Sequence, residues 1–332
     1  MAANTVKESK TNREVVLGFL EEAESWQLLS NQFPSKVGGR PAWLSQADLP
    51  TVSELQTLFV FCCKTPACYT RNDNTCFKVY RCQLPRKNDF YPFDPPPEEK
   101  PEQLVNEHQV LDSGLKLCRL CGCLGQKACS RCHSVTYCCK EHQTIDWKNR
   151  HKKECNIESS QSSEEPSSFL FPEWELVTDP DELPAKDEEL HEAHSLDQES
   201  MACLNNGLED SELESMALHE TQDSKVFQKF KKRIANEPQQ VLRYCKEGSP
   251  LWVSAEHVPR EEDVPECPCG AKRVFEFQIM PQLLNHLKVD TTDASIDWGT
   301  VAIYTCADSC DQGTKYSAEF IWKQDFSGDQ AV

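Results

Sequence analysis

The stretch CRLCGCLGQKACSRCHSVTYCCKEHQTIDWKNRHKKEC, residues 118–155, holds eight cysteines and three histidines. Structural zinc takes four thiolate or imidazole ligands in a tetrahedron, and a short Cys-x-x-Cys turn supplies two of them. Two such turns are followed by two pairs at the spacing of one helical turn. The four pairs are Cys118 with Cys121, Cys129 with Cys132, Cys138 with His142, and His151 with Cys155. The stretch therefore predicts two complete zinc sites.

The spacing leaves the assignment of pairs to ions open. If the pairs interleave, one ion takes the first and third pairs and the other takes the second and fourth; sequential pairing is the alternative. Cys123, His133 and Cys139 are left over as bystanders, although Cys139 is close enough to replace Cys138. A reduced cysteine-rich loop or a single redox Cys-x-x-Cys would leave the other pairs unexplained.

Charge is distributed unevenly along the 332 residues, which have a formal net charge of −19. Residues 156–224 contain twenty Asp or Glu and a single Lys, so the rest of the chain is neutral on balance. The N-terminus lacks the apolar core of a signal peptide, and no apolar run is long enough to cross a membrane. We expect a cytoplasmic and nuclear protein without a membrane partner, in which clustered cysteines bind metal rather than form disulfides.

The chain length predicts two or three modules with linkers. Apolar runs such as LFVFCC, VFEFQIM and VAIYTC predict an α+β fold that is mainly β, with twisted antiparallel sheets from the N- and C-terminal parts. Asp223 or Ser224 is expected to cap a helix with Val226, Phe227, Phe230 and Ile234 on one face, and PQLLNHL is a second helical candidate. The predicted parts are an N-terminal β-rich part (1–93), a Pro-rich spacer (94–115), the zinc finger (116–155), a largely disordered acidic linker (156–222) and a C-terminal β-rich domain (223–332).

A faint internal repeat concerns the cysteines outside the finger. LFVFCCKTPAC near Cys62 and AIYTCADSC near Cys306 each run an apolar strand into cysteines. The second copy also has an upstream pair, so Cys267, Cys269, Cys306 and Cys310 are candidates for a third zinc site. The competing interpretation is that they are small buried residues, as free cysteines often are.

The finger resembles the MYND type, including Tyr137 before Cys138 and Trp147 before His151, with His142 where many such fingers carry cysteine. The resemblance implies binding of short, often proline-containing peptides. The finger contains nine Lys or Arg and three acidic residues. Adding two Zn²⁺ and six thiolates gives a net charge of about +4. That charge suits weak phosphate contact. No long basic helix follows, however, so peptides are favoured over DNA as partners, and the spacing disfavours a RING finger.

Beyond the finger, nearly the whole chain apart from the acidic linker resembles the programmed cell death protein 2 family. The matching motifs are FPSKVGGRPAWL, QLPRKNDFY, FQKFKKRI, QVLRY, CPCGAKR, FEFQIMPQLLNHL, IDWGTVAIYTC and EFIWKQD. The resemblance implies a β-rich fold and a zinc-binding adaptor or dedicated chaperone, which captures a newly made basic ribosomal protein for assembly of the 40S subunit. The alternative that it implies is a nuclear regulator of transcription, proliferation and apoptosis that acts through the finger, with or without DNA.

The N-terminal part departs from the family pattern. A Cys-x-x-Cys-Gly strand and an apolar segment are expected after GGRPAWL, but PTVSELQ runs almost directly into TLFVFCC. Cys62, Cys63 and Cys68 therefore lack expected zinc partners, for which Cys76 and Cys82 are the nearest substitutes. The sequence offers no phosphate-binding glycine loop and no recognisable nucleophile motif, so we expect a binding protein rather than an enzyme.

Overall fold

The structure is a computed structural model that describes residues 14–44, 55–64, 66–84, 91, 94–97, 99–100, 114–155, 169–181, 222–289, 296–310 and 316–326. Most of the Pro-rich spacer lies outside these ranges. No helix within the described ranges is long and apolar enough to cross a membrane. The prediction of a mainly β fold with antiparallel sheets is confirmed.

The larger sheet has seven antiparallel strands from all parts of the chain, in the order β12-β10-β9-β8-β1-β7-β2. Their bounds are β1 Val16–Glu21, β2 Lys36–Val37, β7 Trp174–Pro180, β8 Leu242–Tyr244, β9 Arg273–Ile279, β10 Thr300–Cys306 and β12 Phe320–Gln324. Every residue of β10 is buried, as its continuous apolar sequence TVAIYTC requires of a strand covered on both faces.

The smaller sheet has the order β11-β4-β3, with β3 Leu55–Cys62, β4 Phe77–Leu84 and β11 Ser317–Ala318. Phe77 and Val79 of β4 belong to the same buried cluster as Val301 and Ile303 of β10 and the fully covered Trp298. Each sheet thus combines N- and C-terminal strands, and the two ends of the chain share one core. This sharing explains why the predicted parts 1–93 and 223–332 do not form separate cores.

The acidic linker is not as uniformly unstructured as the composition suggested. Its apolar island FLFPEWEL leads into β7, which pairs with β1 on one side and β2 on the other. Leu176 packs against the main core, so the island gains the burial that the surrounding polar residues cannot. The structure orders residues 169–181, which include this island, and the rest of the linker, 156–168 and 182–221, lies outside the described residues.

The finger contains β5 Lys127–Ala128, β6 Thr136–Tyr137 and α1 Lys140–Asp146, which continues through one π-helical turn, Trp147–His151, into α2 Lys152–Glu154. Two helices follow in the C-terminal part, α3 Gln222–Ile234 and α4 Leu283–Leu287, where the sequence predicted them. Single 3₁₀ turns are found at Ser30–Gln32, Pro66–Cys68 and Glu261–Asp263.

One detail of α3 differs from the prediction. Phe227, Phe230 and Ile234 do pack together on one face, against Val253 and Met280. Asp223 lies inside the helix rather than at its cap, and its carboxylate accepts a hydrogen bond from the Ala255 amide at 2.7 Å and another from the Ser254 hydroxyl. The acidic side chain therefore joins the helix to the 254–255 loop.

Candidate metal centres

Three groups of four side chains converge, with all ligand atoms of each group within 4.8 Å of one another. Two lie in the finger, and they correspond to the interleaved pairing rather than the sequential one. The groups are Cys118, Cys121, Cys138 and His142; Cys129, Cys132, His151 and Cys155; and Cys267, Cys269, Cys306 and Cys310. The structure thus brings together every residue that the sequence nominated as a ligand.

The distances between ligand atoms match a zinc tetrahedron. With Zn–S bonds of 2.3 Å, two sulfurs on one ion lie about 3.8 Å apart, and a sulfur and an imidazole nitrogen about 3.6 Å. Cys121 and Cys138 Sγ are 3.7 Å apart, and in the third group Cys267 and Cys310 Sγ are 3.5 Å apart. Cys132 Sγ lies 3.5 Å from His151 Nε2. These three distances fit ligands that share one zinc ion.

A shared turn builds one half of each group. The residue after the second cysteine of each turn has a positive φ: 71° at Gly122, 55° at His133 and 92° at Gly270. Its amide donates to the carbonyl of the first cysteine at 2.9, 3.0 and 2.8 Å respectively. This left-handed residue closes the turn so that both thiols point to one side. His133 is therefore a turn residue, and the prediction that it is a bystander agrees with its position.

Changing these turn residues should have opposite effects on stability. We expect His133→Gly to raise the free energy of unfolding by about 1 kcal/mol, because glycine enters the left-handed region without the steric cost of a Cβ. Gly122→Ala should lower it, since a Cβ at that φ would also lie 3.1 Å from the Arg40 side chain. Thermal unfolding of both variants with elemental analysis of zinc checks this; loss of zinc from His133→Gly would contradict the bystander role.

In the first finger group, Cys138 is a ligand candidate and the adjacent Cys139 has a different task. His142 Nδ1 lies 3.6 Å from Cys118 Sγ and 3.0 Å from Cys138 Sγ. Cys139 is the N-cap of α1, where its Sγ accepts the His142 amide at 3.4 Å. The cap fixes the first turn of the helix and so aims His142 at the cluster. Cys123 is likewise outside the three convergent groups.

The second finger group rests on a buried polar network. Tyr137 is fully buried, and its hydroxyl donates to Asp146 Oδ2 at 2.7 Å. Arg119 lies between Asp146 and Glu154, and its Nη1 is 3.2 Å from His151 Nδ1. Three thiolates and one imidazole around Zn²⁺ carry a net charge of −1, so the buried guanidinium stabilises the loaded site.

The third group has its own buried arginine. Arg81 of β4 donates from Nη2 to the Cys310 carbonyl at 3.1 Å and lies 3.5 Å from Cys310 Sγ. Its Nε donates to Glu319 at 2.6 Å, and Glu319 also accepts from Arg273 of β9 at 2.8 Å. Four thiolates around Zn²⁺ would carry a charge of −2, of which this arginine would offset one unit at most. The contact also attaches the N-terminal hairpin β3–β4 to the C-terminal cysteines.

The protonation of these thiols shows why a cation is needed. Burial, followed by the neighbouring thiols Cys121 and Cys118, raises the pKa of Cys138 far above its usual range. Burial also raises the pKa of Cys267 to about 12. At Cys138 and Cys267 the surrounding protein thus disfavours the thiolate, which a divalent ion at the centre of the group would stabilise. Cys132 differs, because its burial is outweighed by hydrogen bonds from Ser134, which lower its pKa to about 6.

The N-terminal cysteines do not form a comparable group. Cys62, Cys63 and Cys68 lie at the end of β3 and in the turn after it, and the Cys63 amide donates to the Cys76 carbonyl at 2.9 Å. Burial raises the pKa of both Cys62 and Cys76 to about 11. Cys82 is buried elsewhere, beside Leu44 and Tyr91. Within the described part of the chain, these cysteines are not among the groups with four convergent ligand atoms.

Sequence reasoning missed the charged residues around the groups, above all Arg81, Arg119 and Glu319. They are separated from the ligands in sequence, and no periodic pattern marks them as buried. The only available signal was the position of Arg81 between apolar residues of β4 and of Arg119 inside the first Cys-x-x-Cys. The position of an arginine in the sequence does not identify the acidic residue with which it pairs.

The fold and these groups define a class: a β-rich protein with a cross-braced, two-site finger inserted between strands of a shared sheet. Models of the N-terminal domain of programmed cell death protein 2 match residues 14–57 and 55–98, that of the C-terminal domain matches 224–325, and that of the MYND finger matches 118–155. The chain belongs to the programmed cell death protein 2 family. The N-terminal match is split at residues 55–57, where the sequence analysis expected a missing segment.

Curated relatives support this assignment over most of the chain. Programmed cell death protein 2 of Bos taurus is 47% identical over 341 residues, which cover 94% of this chain and 96% of the relative. The Mus musculus protein is 46% identical over 342 residues with the same coverage. A Schizosaccharomyces pombe protein named probable 20S rRNA accumulation protein 4 is 31% identical over 118 residues, 32% of this chain and 29% of that protein. No solved structure matches.

Proposed function

We propose that this chain is a ribosome-biogenesis factor that captures a newly made, basic protein of the small ribosomal subunit and shields it until assembly. Family membership supports the proposal, as does the name of the fission yeast relative, which refers to the accumulation of 20S rRNA. We further propose that the chain works in the cytoplasm and the nucleus, and that it acts by binding rather than by catalysis.

The proposal depends most on how the acidic linker is anchored. Residues 182–221 contain twelve acidic residues and a single lysine. Directly before them, the Asp181 carboxylate accepts hydrogen bonds from Arg233 of α3 at 2.9 Å and from Arg243 of β8 at 3.2 Å. The linker therefore leaves the sheet beside the helix in which it ends. A strongly negative segment attached at both ends to the folded part of the chain would attract and retain a cationic client.

The metal groups fit a structural role in such a factor. Each offers four protein ligands, and a zinc ion with four protein ligands keeps no open position for water or substrate. The ions would hold the finger together and hold the β3–β4 hairpin to the C-terminal strands through Arg81. These closed sites support the proposal of a binding protein with structural zinc.

Affinity capture of the tagged full chain from cells, with RNase treatment of the lysate, tests the proposal. We expect one small-subunit ribosomal protein in near-stoichiometric amount, in both cytoplasmic and nuclear fractions. Recovery of co-repressors or chromatin proteins instead would contradict it and support the alternative of a transcriptional regulator. Retention of DNA fragments on the purified chain at physiological salt would point to that alternative as well.

The acidic loop itself can be tested without disturbing the sheet. Replacing residues 182–221 by a short Gly-Ser linker keeps β7 and Asp181, so the unfolding midpoint should not change. The client should dissociate faster, and its affinity should depend less on salt, because screening over about 8–10 Å acts mainly on exposed charges. The matched control keeps the length of the loop but replaces its Asp and Glu by Asn and Gln. An unchanged salt dependence in both variants would show that the loop is only a tether.

A further inference from the structure

A short segment before β7 lies on the finger. Phe169 and Leu170 pack against the apolar cluster that contains the finger ligands Cys118, Cys121 and Cys129. The Phe169 ring is 4.6 Å from the ring of His142, edge to face at 78°. The finger is thus covered next to a candidate metal ligand by a segment of its own chain.

The backbone of the same segment is held by the N-terminal part. Lys64 Nζ donates to the carbonyls of Phe169 and Leu170 at 3.1 and 3.0 Å, and it lies 5.0 Å from the centroid of the Phe171 ring. The Gly39 amide donates to the Phe171 carbonyl at 3.1 Å. The backbone at Gly38 can approach the backbone of the segment closely, because a Cβ at residue 38 would lie 1.8 Å from the Pro172 carbonyl oxygen.

Phe171 packs against the main core, whereas Phe169 and Leu170 contact the finger in the manner of a bound peptide. One aromatic and one aliphatic side chain contact an apolar surface. One lysine donates hydrogen bonds to two successive backbone carbonyls, and a proline follows in the sequence. Phe169 and Leu170 remain half-exposed, and residues 166–172, PSSFLFP, carry no charge. The pairing of β7 begins at Trp174, so this segment can leave the finger without breaking the sheet.

We propose that Phe169 and Leu170 are a built-in ligand that occupies a peptide-binding surface of the finger, and that an uncharged partner peptide with a Phe-Leu pair before a proline must displace them. This autoinhibitory contact is independent of the ribosomal client. Thirteen residues, 156–168, separate the segment from the last finger ligand. A linker of this length gives an effective concentration in the millimolar range. If the segment's own Kd for the finger is about 0.1 mM, a partner peptide would therefore lose about tenfold in apparent affinity, whatever its own Kd.

The test uses a fluorescein-labelled peptide with the sequence PSSFLFP and the full-length zinc-loaded chain. We expect the peptide to bind the double variant Phe169→Ser, Leu170→Ser about tenfold more tightly than the unaltered chain, measured by fluorescence anisotropy. The control variant Val258→Ser changes an exposed apolar residue away from the finger and should leave the affinity unchanged. The control peptide PSSSSFP should not bind any of these proteins.

A second variant guards against a folding defect in the first. Lys64→Met removes the bonds to both carbonyls but leaves the finger and the segment unaltered, so it should also increase peptide affinity, by a smaller factor. Elemental analysis should give the same zinc content for every protein. Equal peptide affinity for the unaltered chain and for Lys64→Met would overturn the proposal, whatever the double variant does, and so would zinc loss from the double variant without a gain in affinity.

Discussion

Replacing Cys138 by serine should remove one of the three zinc ions that we expect per chain and unfold the finger around it. Cys138 Sγ converges with the other three ligand atoms of its group, so its loss leaves an incomplete tetrahedron. In zinc fingers the metal contributes about 10–16 kcal/mol of binding free energy, and this is folding free energy. The expected effect is therefore comparable to the total stability of a domain, which is about 5–15 kcal/mol.

The neighbouring cysteine provides the matched control. Cys139→Ser keeps a side chain that can accept the His142 amide, and serine is a preferred N-cap residue. This variant should retain all three ions and a folded finger. Elemental analysis and native mass spectrometry of both full-length variants distinguish the two positions. If Cys139→Ser lost an ion while Cys138→Ser kept it, Cys139 would be the ligand. Fewer than three zinc ions in the unaltered chain would contradict the assignment of three zinc sites.

The second large effect concerns thiol reactivity, and it compares two exposed cysteines. Cys269 and Cys68 are both accessible to solvent. Cys269 belongs to the third convergent group, whereas Cys68 does not. Because a thiolate bound to zinc is not available for alkylation, we expect Cys269 to react with N-ethylmaleimide only after a chelator is added. Cys68 should react from the start, at a rate that the chelator does not change.

Peptide mass mapping of the alkylated protein measures the alkylation of both cysteines in one experiment. Cys267, Cys306 and Cys310 should become reactive together with Cys269, because one ion would hold all four. Reaction of Cys269 before chelation would show that the third group is a set of reduced thiols. Chelator-dependent protection of Cys68 would mean that the N-terminal cysteines complete a site with Cys76 or Cys82, and that the expected loss of a partner segment has no consequence for metal binding.

Local spacing was sufficient for the metal ligands, because each pair comes from one short turn or one helical turn. Cys118 and Cys121, or Cys138 and His142, face the same way whatever the rest of the chain does. The apolar run VAIYTC similarly predicted a strand, and the structure shows that every residue of β10 is buried. Composition also predicted the acidic character of residues 182–221, although it overlooked the strand that precedes them.

Tertiary structure alone decided which pairs of side chains converge, since both interleaved and sequential pairings satisfy the same spacings. It also decided that Cys139 is a cap and His133 a turn residue, because these roles depend on backbone hydrogen bonds formed in the folded finger.

The partners of Arg81 and the contact of Phe169 with His142 join residues that are far apart in sequence. By itself, the sequence determined which side chains could bind metal and which segments form strands, because these properties follow from residue type and short-range geometry. Long-range pairing depends instead on the packing of the whole chain around one shared core, and only the folded structure contains that information.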